Sequence, residues 1–307
     1  MKKRILLRLV FTVFVSSVLF FVSQSCRHSQ SGQVILPDSL IFSVDDTLEN
    51  IKSPSSSGPA IYYGLYSPSD VAAIFQRNNL DMEPEILNPP DKTSSYSSTA
   101  KMAINLGVYG ADLSYVKLFN DPQLTTQYLK EILVLAEKLG IPPEFLKNAS
   151  LRIDKNLDNP DSLNIITGKT FEKIITFLSE QDREGSAYLM ITGGWIEAMY
   201  IAVEELLKTK DPEVIRKILE QKYALDYLLS SLKNHYNEPS VAYYYRMLFV
   251  LQKYYNKTRI VFTKKGFEID RNIQTIHYAG STLYYNDADL VKIKNIIVSL
   301  RDIVIEE

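Results

Sequence analysis

The sequence predicts a mainly α protein, a helical bundle whose three-helix pattern restarts once, with a small β-hairpin inserted before the C-terminal helix. Three observations lead there. Apolar residues recur at helical spacing through most of the chain. The periodic segments open on Asp-Pro or Pro pairs, which suit a cap and a first helical turn. One short region, Arg259–Tyr278, is instead rich in β-branched and aromatic residues around Lys264-Lys265-Gly266.

Residues 1–25 read as a secretory signal. Lys2, Lys3, Arg4 and Arg8 form a basic start, and Leu9 to Val22 is an apolar run broken only by Thr12, Ser16 and Ser17. A comfortable membrane span needs about 20 apolar residues, so the length argues for cleavage rather than an uncleaved anchor. Cys26 is the only cysteine in the chain, which excludes an internal disulfide.

Ser23-Gln24-Ser25-Cys26 resembles the lipobox of a bacterial lipoprotein precursor, in the looser form found in Bacteroidota, with Ser23 where leucine is usual. The resemblance implies cleavage before Cys26, lipidation of its sulfur and acylation of its amine. Several acyl chains, at roughly 0.8 kcal/mol per buried methylene, would hold the protein on a bilayer without a transmembrane helix. No aspartate comes directly after the cysteine, in Arg27-His28-Ser29, and Ser29 to Gln33 has no acidic run. The resemblance therefore implies the outer membrane, with the periplasmic side expected first and surface exposure as the alternative.

Removal of the signal leaves 30 basic against 36 acidic residues, a net of −6. Bulk charge therefore attracts neither nucleic acid nor an anionic membrane. Residues 26–66 are expected to be a tether, with Ser53–Pro59 as flexible spacer and Val34–Ile51 as either an extended strand or disordered chain. The helical domain spans 67–307 and opens with a short helix from Ser67.

The central helix is expected over Tyr96–Phe119, apolar nearly all round and hence buried. Asp121-Pro122 starts the next, ended by Gly140, and Pro143–Leu157 follows. Asp161 or Ser162 caps a helix to about Gln181. The pattern then restarts: a glycine-bearing helix Glu184–Leu207, an Asp211-Pro212 helix to His235 and a Pro239 helix to Tyr255. Residues 96–157 and 184–255 match at Asp112/Glu197, Tyr115/Tyr200 and Asp121/Asp211, at offsets of 85, 85 and 90. Internal duplication and chance alignment of common helix starts both fit. A hairpin over 259–279 turns at Lys264–Gly266, with Thr275–Tyr278 as a further strand, and Asp287 caps a last helix to Ile305.

The candidate ligand or packing residues are Gly107, Gly110, Asp112 and Tyr115 in the first unit and Gly193, Gly194, Trp195, Glu197 and Tyr200 in the second. Acid and tyrosine lie three apart on one helical face in each. Two such helices side by side would join two carboxylates and two phenols in a dry interior, able to hold a cation or perform acid–base work. The plainer reading has each acid satisfied by a tyrosine and a backbone group while the glycines let the helices approach. Tyr243-Tyr244-Tyr245 with Arg246 reads as an aromatic wall or as core. His28, His235 and His277 form no metal motif, and no phosphate loop, nucleophile elbow or dinucleotide fingerprint is present. No cofactor is expected.

The stretches NLGVYGADLSY, Asn105–Tyr115, and GGWIEAMYIA, Gly193–Ala202, resemble a family of uncharacterised lipoproteins of Bacteroidota. The resemblance covers about Ser67 to the end and implies an envelope location and a helical fold; it supplies no catalytic residue. Two functions are expected: a non-enzymatic envelope scaffold or binding module engaging an envelope protein or small ligand through the groove between its two helical halves, or a hydrolase or a cation or small-ligand site using Asp112 and Glu197. Solvent access to both acids would favour the second, and a closed, hydrogen-bonded pair the first.

Overall fold

The computed structural model describes Asn78 and residues 80–156, 159–262, 267–270, 275–278 and 281–306. The signal, Cys26, the tether and the short helix expected from Ser67 lie outside the described residues. Nine helices and two short antiparallel strand pairs are formed among the described residues. The helices are α1 (Thr99–Leu118), α2 (Pro122–Lys138), α3 (Pro143–Asp154), α4 (Pro160–Glu180), α5 (Glu184–Thr209), α6 (Pro212–Glu220), α7 (Lys222–Lys233), α8 (Pro239–Tyr255) and α9 (Asp287–Ile305). The strands are β1 (Arg259–Phe262), β2 (Phe267–Asp270), β3 (Thr275–Tyr278) and β4 (Ser281–Tyr284).

The helix starts follow the expected chemistry, with shifts of a residue or two. Ser98 caps α1 by accepting from Lys101 N at 3.1 Å, which leaves Tyr96 outside the helix. Asp121 accepts from Leu124 N at 2.8 Å and Asp211 from Glu213 N at 2.8 Å, each directly before a proline that has no N–H to satisfy. For α4 the cap is Asn159, accepting from Ser162 N at 2.9 Å, rather than Asp161 or Ser162. For α9 it is Asn286, one residue before the expected Asp287. Gly140, at φ +76°, turns the chain out of α2.

Two expectations are corrected. The helix expected from Asp211 to His235 is two helices, α6 and α7, broken at Gln221. Gln221 Oε1 accepts the indole N–H of the fully buried Trp195 at 3.1 Å, so that side chain is held inward at the break. The expected pairing of Arg259–Thr263 with Phe267–Asp270 is not the one formed: β1 pairs with β4, Arg259 opposite Tyr284, and β2 pairs with β3, Phe267 opposite Tyr278, while Lys264–Gly266 lie outside the described residues. The fourth strand, Ser281–Tyr284, gives β1 a partner more distant in sequence than β2.

The core is built around α1 and α5. Of the residues of α1, Ala103 to Tyr109 are all buried. A Cβ at Gly107 would run into the carbonyl of Met190 and lie 2.7 Å from Gly194 N, and one at Gly193 would run into the carbonyl of Ile104. At these glycines the two helix backbones touch. Gly110 makes room for something else, the Phe171 ring of α4, 2.6 Å from where a Cβ would sit. The tyrosines of α8 divide between core and rim: Tyr244 and Tyr245 are buried, the buried Tyr255 hydroxyl donates to Ile218 O at 2.9 Å, and Tyr243 and Tyr254 are half-buried.

Candidate functional site: a buried acid pair

Where α1 and α5 run side by side, they bring Asp112 and Glu197 together, both 0 % exposed. Arg301 of α9 closes the group. Its Nε donates to Glu197 Oε2 at 3.2 Å, its Nη2 to Glu197 Oε1 at 3.3 Å and to Ile86 O at 2.9 Å. The face of Tyr200 lies under the same guanidinium, 4.5 Å from ring centre to Cζ. Glu197 is thus the paired carboxylate.

Asp112 has no such cation of its own. Oδ2 accepts the backbone N–H of Asn88 at 3.3 Å, and Oδ1 meets no N–H or hydroxyl donor. Burial and the neighbouring Glu197 push its pKa well above the carboxylate range, while Arg301 pulls it down by less. Burial, the largest influence, raises Glu197 as well, against the pull of Arg301 and a hydrogen bond from Asp112. Asp112 therefore keeps its proton and gives it, as a hydrogen bond, to the ionised Glu197. One positive and one negative charge, with a neutral acid between carboxylate and backbone, is the electrically balanced state of this site.

A polar shell surrounds the pair. Asn88, 0 % exposed, donates through Nδ2 to the hydroxyl of Tyr96 at 3.0 Å, and its carbonyl accepts from the Tyr128 hydroxyl at 3.0 Å. The Tyr109 hydroxyl donates to Pro89 O at 2.7 Å. Burial raises the pKa of all three phenols, so each remains a neutral donor. The segment 86–89 is pinned across the acids by four side chains, Arg301, Asp112, Tyr128 and Tyr109.

The same shell ties down the end of α9. Asn105 Nδ2 donates to Val304 O at 2.9 Å, and Lys101 Nζ donates to Ile303 O at 2.8 Å and Glu306 O at 2.6 Å. Tyr96 adds a contact to Ile305 O at 3.4 Å. The carbonyls that a helix leaves unmade at its C-terminus are satisfied here by one face of α1.

The nine residues singled out from sequence thus separate. Gly107, Gly193 and Gly194 make the helix crossing, Asp112 and Glu197 the acid pair, and Tyr200 its lid. Gly110 and Trp195 pack elsewhere. Tyr115 does not join the acids: its hydroxyl accepts from Glu83 N at 3.1 Å, beside Phe119. The two carboxylates meet as expected, but only one of the two phenols does.

No protein-family model, curated protein or solved structure matches the chain. Among the described residues there is no group of three or more His, Cys, Asp or Glu placed to hold a metal ion.

Arg301 is the residue that sequence reasoning missed, and a signal for it existed. It falls at i+4 from Ile297 and i−3 from Val304, on the apolar face of α9. A cation on that face has to meet an anion inside. Asn105, in the middle of the apolar run of α1, carried the same kind of signal.

A second buried charge stands apart. Lys117, 7 % exposed, has its Nζ 3.0 Å from Thr167 Oγ1, and that hydroxyl donates on to Leu163 O at 2.7 Å. Burial alone lowers its pKa to about 8.

Proposed function

We propose that the chain is a lipid-anchored lipoprotein of the cell envelope, related to the Bacteroidota family its two helices resemble, and that its domain is a non-enzymatic scaffold or binding module. The observation that carries the second half is the sealing of Asp112 and Glu197. Both acids are fully buried, and every polar contact they make is to Arg301, Asn88 or each other. A hydrolase would need one carboxyl within reach of substrate or water. A carboxyl group shut between two helices and a guanidinium acts instead as a strut.

The anchoring half rests on Lys2–Val22, Cys26 and the loose lipobox before it. Among the described residues no helix is long and apolar enough to cross a membrane. Because α1 and α5 touch backbone to backbone at the glycines, their crossing offers no groove, and a partner would engage the outer faces of the helices.

The test is made on the full chain expressed in a Bacteroidota host. Its mature form should begin at Cys26, carry acyl groups by mass spectrometry and fractionate with membranes, and Cys26→Ser should release it. A soluble wild-type chain without added acyl mass would end the proposal. Cross-linking in intact envelopes followed by pull-down then reads the partner, and recovery of no specific protein would weaken the scaffold reading.

A further inference from the structure

The acid pair is closed over by a strap, residues 83–96, which doubles back along α1 before the chain enters that helix. Glu83 N–H donates to the Tyr115 hydroxyl at 3.1 Å, Asn88 N–H to Asp112 at 3.3 Å, and Pro89 O accepts from Tyr109 at 2.7 Å. Each partner lies about one turn further back along α1, so strap and helix form a hairpin. Its bend, Ser97 and Ser98, is exposed. The other bonds to the strap also come from side chains of the helices. Arg301 of α9 donates to Ile86 O at 2.9 Å, Tyr128 and Lys138 of α2 donate to Asn88 O at 3.0 Å and Thr93 O at 2.9 Å, and Lys208 of α5 pairs with the Glu83 carboxylate. Of the strap's apolar side chains only Leu87 and Tyr96 are buried, and Pro84, Glu85 and Pro89 are exposed.

We infer that two copies of this chain exchange their straps, each laying residues 83–96 on the other's α1 and closing the other's acid site with Ile86 and Asn88. A second copy is thereby named as a partner of the binding module proposed above, and the inference rests on that reading. Each bond given above joins the strap to a side chain of α1, α2, α5 or α9, so a two-fold arrangement repeats all of them unchanged. The bend can open without loss to α1, because the cap of that helix is local: Ser98 bonds Lys101 N whether or not the strap is in place. With two buried apolar side chains, the strap opens at less cost than the helices beneath it. Pro84, Pro89 and Pro90 fix φ in the released strap as in the docked one, which lowers the freedom lost on docking to a second copy. Lipid anchoring would add to this by raising the concentration of neighbouring copies.

The test uses two mature chains, each with Cys26→Ser so that no native thiol remains, one carrying Glu83→Cys and the other Lys208→Cys. These two side chains meet in the structure, so a short bismaleimide joins them wherever a strap is docked. After long incubation of the mixture at high concentration, mass spectrometry should find position 83 of one chain linked to position 208 of the other. The yield should be at least ~10-fold above that from Glu83→Cys mixed with a chain carrying Glu172→Cys, an exposed position of α4. Asn88→Ala added to the Glu83→Cys chain should remove most of it. A yield no higher than the Glu172→Cys control would overturn the inference. So would linkage confined to a single chain carrying both Glu83→Cys and Lys208→Cys, which would show a strap that stays on its own domain. Because these chains are unacylated, failure here leaves the lipidation of Cys26 and other envelope partners standing, and a pull-down that recovers no foreign protein leaves the exchange standing.

Discussion

At the scale of single residues, the account turns on which buried charges have partners. Glu197 and Arg301 compensate each other, so removing one should cost more than removing both. Glu197→Gln strands a guanidinium that is 7 % exposed and is expected to lose about 3–5 kcal/mol of stability. Glu197→Gln combined with Arg301→Met should recover much of that loss in urea unfolding, and a double variant no better than the single would contradict the pairing. Lys117 is the opposite case, a cation with a hydroxyl for company. Its folded pKa, about 8, lies below the ordinary 10.5. Below about pH 8 the folded state therefore carries the full penalty of a buried charge. Between about 8 and 10.5 the folded chain sheds a proton that the unfolded chain keeps, so stability rises with pH. Lys117→Met should accordingly stabilise the protein by up to about 3 kcal/mol below pH 8, an advantage that shrinks to little by pH 10.5. An advantage independent of pH would mean that only packing had changed.

At the scale of elements, the glycines make the sharpest prediction. Gly107→Ala and Gly193→Ala each drive a methyl into a backbone carbonyl of the facing helix, which side-chain rotation cannot relieve. Each should cost more than the roughly 1–3 kcal/mol of ordinary overpacking, because the two helices must separate. Gly168, on the outer side of α4, meets nothing where a Cβ would stand. Gly168→Ala should raise stability by about 0.5–1 kcal/mol. Melting curves of the three variants that fail to separate in this way would disprove the close crossing.

This is also the scale at which sequence was most informative. Helices that open on a cap and a proline were legible to within a residue or two, because a cap is a local bond and Pro fixes φ wherever it stands. The break at Gln221 was not, since no Gly or Pro marks it and its cause is an indole 26 residues away. The β pairing was misplaced for a similar reason. Lys264–Gly266 has the composition of a turn, but the partner of Arg259 is 25 residues on, and ladder pairing depends on distant neighbours that local propensity does not encode. At the site, two acids spaced alike in two helices were visible; Arg301 on the apolar face of α9 carried a signal that a search for paired carboxylates passed over.

At the scale of the whole molecule, the acid pair joins elements distant in sequence: Asn88 ahead of α1, Asp112 on α1, Glu197 on α5 and Arg301 on α9. The end of α9 is held by Lys101, Asn105 and Tyr96, so the last described helix is stitched to the first. A fold closed in this way by its polar interior leaves its outer surface to meet other molecules, and deletion of α9 should abolish cooperative folding rather than trim the domain. The central claim is that Asp112 is a neutral, proton-donating strut and not a catalytic base. Its folded pKa is raised, so between the ordinary value and the raised one the native chain holds a proton that the unfolded chain has released, and stability falls as pH rises, by at most about 1.4 kcal/mol per pH unit for one proton. Asp112→Asn keeps a donor toward Glu197 and an acceptor for Asn88 N–H but has no proton to lose. Chemical denaturation of wild type and Asp112→Asn across pH 4 to 8 is the most direct measurement. The account predicts similar stability near pH 4 and a growing advantage for Asp112→Asn toward pH 8, whereas a variant less stable than wild type by the same amount at every pH would contradict it.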